Sequence, residues 1–306
     1  MSDGPDPALA RRRLMLTLRG FRSGAGATQT EVAADMEWSQ SKVVRVENGE
    51  VGISATDLRA LLSFYGVTDH DTIDELLRLA RAARKQPFAP FADVLSGDFK
   101  RYLGYEAAAQ TVYHFELSVI PGLLQTAAYT RAVIQMYNPD EPEPRRRKRE
   151  ELKAKRQELL DRDERPELWF ILDEGALRRL VGAEAGSPAL MLEQLDHIVA
   201  LAERPRCHVQ VVRFDAGAHP GMAGPFAVLE FADSSDERIL YLENANGDVT
   251  IRDATELTAR YLDVFRELQD RATAPGKLRD VMSEIKAALV ADAEAALVAD
   301  AEAARH

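Results

Sequence analysis

The sequence predicts an N-terminal all-α domain followed by a C-terminal mixed α+β domain. Three observations point there. From Ala8 to Lys85 apolar residues recur at helical spacing and no segment alternates in the manner of a strand. Gln86-Pro87-Phe88-Ala89-Pro90 then interrupts that periodicity with two prolines, each lacking the amide a helix interior needs. Beyond it, short β-rich runs alternate with amphipathic stretches. The expected organisation is a helical domain over 8–86, a linker over 87–100, a mixed domain over 101–272 and an alanine-rich helix over 273–306. A chain of 306 residues suits two domains at roughly 100–200 residues each.

Composition narrows the class. With 46% hydrophobic residues the chain buries a real core, which excludes whole-chain disorder. No apolar run reaches the length of a membrane span, and Met1–Arg13 has no secretory apolar stretch, so no membrane association and a cytoplasmic location are expected. The single cysteine, Cys207, excludes an internal disulfide and a multi-cysteine metal site. No cofactor or metal is expected. The net charge of −11 argues against coating nucleic acid by general attraction. Residues 1–87, however, hold twelve cationic and twelve anionic side chains, so the acidic excess lies in the remainder. Any part that meets DNA is the N-terminal one.

The informative N-terminal stretch runs from Thr28 to Gly49. Thr28 is an N-cap with Glu31 three residues on, the arrangement of a capping box. Val32, Ala33 and Met36 then share one face. Ser39 caps a second helix, in which Val43 and Val46 turn inward while Gln40, Ser41, Lys42 and Arg45 stay outside. Asn48-Gly49 ends it with residues that tolerate the left-handed conformation. Two short helices, a tight turn, a small residue at the crossing and a polar outer face on the second helix make a helix-turn-helix.

This segment resembles the XRE-type, lambda-repressor-like helix-turn-helix, whose TQxxVA and S-x-S-x-V-x-x-x-E-x-G elements stand here as Thr28–Ala33 and Ser39–Gly49. The resemblance extends over about residues 8–85, with flanking helices at Ala8–Ser23, Ala55–Tyr65 and Asp71–Arg84. It departs at Glu37, where the family often has a glycine with positive φ, at a cost of about 1 kcal/mol or a shifted turn. The resemblance implies binding to double-stranded operator DNA, as a homodimer on two half-sites about 34 Å apart. Thr28 and Gln29 would then meet a phosphate at a helix end, and Ser39, Gln40 and Ser41 would stand at the base edges. Lys42 would meet a phosphate and Arg45 a guanine or a phosphate. Glu47 would form an internal ion pair with Arg12, Arg13 or Arg19.

In the second domain, strands are expected at Thr111–Glu116, Leu168–Leu172, His208–Phe214, Phe226–Phe231 and Ile239–Glu243. Helices are expected at Ala127–Tyr137, Arg145–Arg162, Pro188–Glu203 and Ala254–Arg271. The basic run Arg145–Arg149 could suggest nucleic acid. Leu152, Leu159 and Leu160 recur on one face of the same helix and Glu151 precedes Lys155 by four, so a solvated helical face is the expected role. Asp215–Pro225 reads as a flexible glycine-rich surface loop without phosphate-loop spacing. The octad Ala287–Glu294 is repeated unchanged as Ala295–Glu302, a short duplication that extends a helix with frayed ends.

Tyr102–Glu106, Ile120–Thr126 with Tyr129, Leu172–Arg178, Gln194–His197 and Gly224–Phe226 together resemble the WhiJ-like, antitoxin-like C-terminal domain of actinobacterial XRE regulators, over about residues 100–270. The resemblance implies a small protein partner encoded nearby. Pro121, Gly122, Gln125, Tyr129 and His219 are the candidate ligand or partner site, the alternative being a purely structural turn. The whole then reads as a transcriptional regulator; the other reading is an antitoxin-like protein whose DNA binding serves autoregulation. Enzymatic features are weak. His197, His208 and His219 lack the spacing of metal ligands on one helix face, Ser187-Pro188 starts a helix, and Asp173-Glu174 lacks a matching acid or base.

Overall fold

A computed structural model describes residues 7–49, 51–84, 88–162, 165–182, 188–231, 234–243, 249–251 and 255–303. The chain forms two compact units, Met1–Pro90 and Phe91–His306. Gln86 and Pro87, part of the expected boundary, lie outside the described residues.

The first unit is helical, as the periodicity predicts. It contains α1 (Pro7–Gly24), α2 (Gln29–Asp35), α3 (Gln40–Glu47), α4 (Ala55–Phe64) and α5 (His70–Ala83). Four of the starts carry side-chain caps, Thr28, Ser39, Ser54 and Asp69, each accepting from the amide three residues on. Ala10, Leu14, Leu18, Val32, Val43, Leu58, Leu62 and Leu76 meet in one core.

The second unit is built on a six-stranded mixed sheet. Its strands are β1 (Thr111–Glu116), β2 (Glu167–Asp173), β3 (Cys207–Val212), β4 (Phe226–Phe231), β5 (Ser234–Leu242) and β6 (Val249–Ile251), in the spatial order β3-β2-β1-β4-β5-β6. β1, β2 and β3 pair in parallel, while β4, β5 and β6 continue antiparallel from β1. Parallel neighbours need long crossovers. Here α7 (Ala127–Tyr137) and α8 (Glu143–Gln157) join β1 to β2, and α9 (Glu174–Arg178) and α10 (Ala189–Ala202) join β2 to β3. The remaining helices are α6 (Gly97–Ala108), α11 (Thr255–Arg271) and α12 (Leu278–Ala303).

Strand alternation divides the core. Phe115, Ile171, Phe226, Val228 and Leu240 face Phe265 and Leu268 of α11. Val112, His114 and Glu116 point the other way, where Tyr241 of β5 stacks on Tyr102 of α6 at 4.1 Å between centroids.

Several expectations need correction. α6 begins at Gly97, inside the stretch expected as linker, and its helix was not expected at all. β3 stops at Val212: Phe214 leaves the sheet into a 3-10 turn and is exposed. β5 begins at Ser234, and the three-residue β6 had no forecast. The helix expected to reach Arg162 tightens to 3-10 geometry over Glu158–Asp161. Lys155 pairs with Glu158, three residues on, rather than with Glu151. The glycine-rich loop is not simply a surface loop. Two 3-10 turns, Phe214–Ala216 and Pro220–Ala223, fold it back, and Gly221 is buried so tightly that a Cβ there would lie 2.6 Å from the Phe115 ring. The duplicated octads continue one helix to Ala303 with Leu297 and Val298 exposed. Ser187 lies outside the described residues.

Candidate nucleic-acid interface and a cavity in the second unit

The α2–α3 pair is fixed from the sequence upward. The capping box is complete: Thr28 Oγ1 accepts from the Glu31 amide at 3.2 Å, and the Thr28 amide donates to Glu31 Oε2 at 2.8 Å. The Thr28 amide, and its hydroxyl donating to the same Glu31 Oε2 at 2.8 Å, hold the Glu31 carboxyl below its usual range. Glu37 adopts φ +53° in the turn, the conformation the family position demands, without a glycine to ease it. Gly49 closes α3 at φ +67°.

Beneath α3, Glu47 is buried. It accepts from Arg22 Nε at 2.6 Å and from Gln29 Nε2 at 2.9 Å. The ion pair foreseen for Glu47 thus exists with Arg22, which was not among the three arginines expected. Gln29, expected at a phosphate, spends its amide nitrogen inside the domain. Arg19 reaches Asn48 Oδ1 at 2.6 Å, so the C-terminal end of α3 is tied to α1 at two adjacent residues.

Above, Gln40, Ser41 and Arg45 are exposed. Ser39 Oγ accepts from the Lys42 amide at 3.2 Å and shares a hydrogen bond with Ser41 Oγ at 3.1 Å. Lys42 is partly engaged: its ammonium sits 3.7 Å from the Trp38 ring centre and 3.7 Å from Asp57 Oδ2. Among the described residues Gln40 and Arg45 have no side-chain partner. The result is a helix held from beneath whose outer face offers uncommitted donors.

In the second unit, the candidate residues separate. Pro121 and Gly122 line a cavity of about 510 Å³, in the range of small-molecule sites. Gln125 also borders it but is committed: its Nε2 donates to the Ile120 carbonyl at 2.7 Å, and its Oε1 accepts from Thr130 at 3.0 Å. Tyr129 is buried, its hydroxyl accepting from the Ile120 amide at 3.1 Å, so it braces the turn from behind. His219 is elsewhere. It stands edge-on to Phe115, on the α11 side of the sheet, 3.2 Å from Asp173 Oδ2.

Sequence reasoning missed the charged wall of this cavity. His114 and Glu116 enter it from β1, and Lys153 and Arg156 from α8. Arg156 and Glu106 form a buried bidentate pair, both bonds at 2.7 Å, with Tyr102 Oη donating to the same carboxylate at 2.8 Å. Burial works to raise the Glu106 carboxyl, but the guanidinium outweighs it and holds the group below its usual range. Lys153 goes the other way: burial, then the neighbouring Arg156, pushes its ammonium down to about 8. A Cβ on Gly122 would lie 2.7 Å from Arg156 Nη1 and 2.8 Å from Lys153 Nζ, so only glycine lets both heads rest against the turn. A signal for this site stood in the sequence: Thr111-Val-Tyr-His-Phe-Glu116 puts His114 and Glu116 on one face of a strand that is otherwise apolar.

The helical pair, its caps and its open outer face define a helix-turn-helix of the DNA-binding class. Comparison with known families agrees: residues 13–76 match the model of a helix-turn-helix domain. Residues 99–284, well over half the chain, match a domain of unknown function (DUF5753), and the chain belongs to that family. No curated protein and no solved structure matches it. No helix among the described residues is long and apolar enough to cross a membrane. No group of metal-ligating side chains gathers among them either. Cys207 is buried, which pushes its thiol up to about 11 and leaves it unreactive.

Proposed function

We propose that this protein is a sequence-specific transcriptional regulator that acts in the cytoplasm. It binds double-stranded operator DNA as a homodimer, and its C-terminal domain receives the controlling signal as a small ligand or a small partner protein. The observation that supports DNA reading is the outer face of α3, where Gln40 and Arg45 are exposed and uncommitted on a helix locked from beneath by Val43, Val46 and the Glu47–Arg22 pair. Gln40 suits adenine through its N6 and N7, and Arg45 suits guanine or a phosphate. Ser39 and Ser41 flank them, Thr28 marks the α2 end at the backbone, and Lys42 adds a phosphate contact once released from Asp57.

Selection of binding sequences from random duplex DNA, followed by gel shift across a salt series, tests this. The expected outcome is an inverted repeat with half-sites about one helical turn apart and affinity that falls steeply with salt. Enrichment of no sequence at all would refute it.

A further inference from the structure

The cavity beside Gly122 carries one carboxylate more than its cations answer. Arg156 is spent on Glu106 at 2.7 Å and Arg149 on Glu141 at 2.8 Å. Of the carboxylates that attract the Lys153 ammonium, Glu243 at the exposed mouth pulls hardest and Glu116 least, so Glu243 is the one that answers Lys153. Glu116 is left over. Its side chain is only 6% exposed. Among the described residues its Oε1 accepts a single hydrogen bond, from the adjacent Leu117 amide at 3.2 Å. Its Oε2 accepts none there, with His114 Nε2 beyond hydrogen-bond reach at 3.7 Å. A carboxylate offers about four acceptor sites, and one withdrawn from water with most of them unfilled is costly to maintain. His114, two residues back on the same face of β1 and as deeply buried, leaves its Nδ1 without a partner. The remaining wall is largely apolar, with Phe99, Ile134 and Leu152 among its residues.

We propose that this cavity binds a small organic monoamine with an apolar body, its ammonium donating to Glu116 at the end of β1. One unanswered carboxylate calls for one positive charge. An ammonium carries three donors, enough to fill Glu116 Oε2 and to leave one for a ring nitrogen of His114. A diamine would bring a second cation against Lys153 and Arg156, and an acid would face Glu116 and Glu243, so the charge count selects a monocation. The apolar wall takes the body of the ligand. This assignment rests on the reading of the C-terminal domain as the part that receives a signal, and it names the signal's chemistry.

The test uses the full chain and isothermal titration calorimetry at neutral pH with benzylamine, 2-phenylethylamine, tryptamine, cyclohexylamine and hexylamine, each beside the alcohol of the same carbon skeleton. The expected result is at least one amine that binds tenfold or more tightly than its alcohol. That preference is abolished in Glu116→Gln and Glu116→Ala and is kept or increased in Lys153→Met, which removes a competing cation. Circular dichroism melts confirm that each variant is folded. Binding by none of the amines, equal binding of amine and alcohol, an unchanged preference in both folded Glu116 variants, or its loss in folded Lys153→Met would overturn the assignment. DNA retention by the same preparation is measured in parallel. Amine binding without DNA retention sinks the regulator and leaves the pocket; DNA retention without amine binding does the reverse.

Discussion

Two helices of this protein carry clustered cations on exposed faces, and the structure treats them in opposite ways. On α8, Arg145 and Arg149 pair with Glu141, Arg146 and Arg147 with Glu143, and Lys148 with Asp93. Every charge of the run Arg145–Arg149 is answered within the second unit. On α3 there are only two cations. Lys42 is half-answered by Asp57 and Trp38, and Arg45 is unanswered. The lesson is that density of positive charge is not a measure of free charge: the α8 run is spent on internal pairs, while α3 keeps uncommitted donors on its outer face.

The largest expected effect breaks the internal neutralisation near α8. Glu106→Gln leaves Arg156 buried without its carboxylate and should cost about 3–5 kcal/mol of stability in urea unfolding, while a folded residue of the population retains DNA binding. A loss below about 1 kcal/mol would mean that the Glu106–Arg156 pair is open to water. The same pair predicts an acid limit. Because the Glu106 carboxyl is lowered in the folded state, its contribution is present above the ordinary carboxylate range and is lost as pH falls through the lowered value.

Next come the α3 substitutions. Gln40→Ala and Arg45→Ala should each weaken specific DNA binding by about 1–3 kcal/mol and relax preference at one base pair, with unfolding curves unchanged. Glu37→Gly sharpens the account of the turn itself: relief of a left-handed residue should stabilise the first unit by about 1 kcal/mol in a thermal melt. A destabilised variant would show that Glu37 holds the turn by its side chain.

Lys153 adds a pH test that separates it from the paired arginines. Burial, then the neighbouring Arg156, pushes the Lys153 ammonium down to about 8 against the attraction of Glu243, Glu106 and Glu116. The unfolded chain binds the extra proton between about 8 and the ordinary lysine value of 10.5, so stability rises with pH across that window. Stability flat across that window, read from urea unfolding, would show that the Lys153 ammonium is open to water. The smallest effect is expected for Arg147→Ala, whose exposed pair with Glu143 contributes within about 0.5 kcal/mol to stability.

Legibility in the sequence follows the range of the interactions. The α2–α3 motif was readable because its caps, its turn and its inward valines lie within Thr28–Gly49, where side chain and backbone interact three or four residues apart. The strands β1, β2 and β4 were readable from continuous β-branched and aromatic runs. β5 begins in Ser234-Ser-Asp-Glu, which carries no strand signal, and β6 is three residues long; both are held by pairing to a neighbour rather than by their own composition. The Glu47 partner was misassigned because helical spacing on α1 does not say which arginine reaches α3. The cavity was legible at the Gly122 turn and in the polar face that His114 and Glu116 give to β1. Its charged wall includes Arg156, whose partner Glu106 stands on α6 fifty positions earlier, a meeting that local spacing does not announce.

The most direct test compares the two basic helices on one DNA. Fluorescence anisotropy on a selected operator duplex would be measured for wild type, for Gln40→Ala with Arg45→Ala, and for Arg145→Ala with Arg147→Ala. The account predicts that the α3 pair loses at least tenfold in affinity while the α8 pair stays within about twofold. Equal loss from both pairs, or loss from the α8 pair alone, would contradict it.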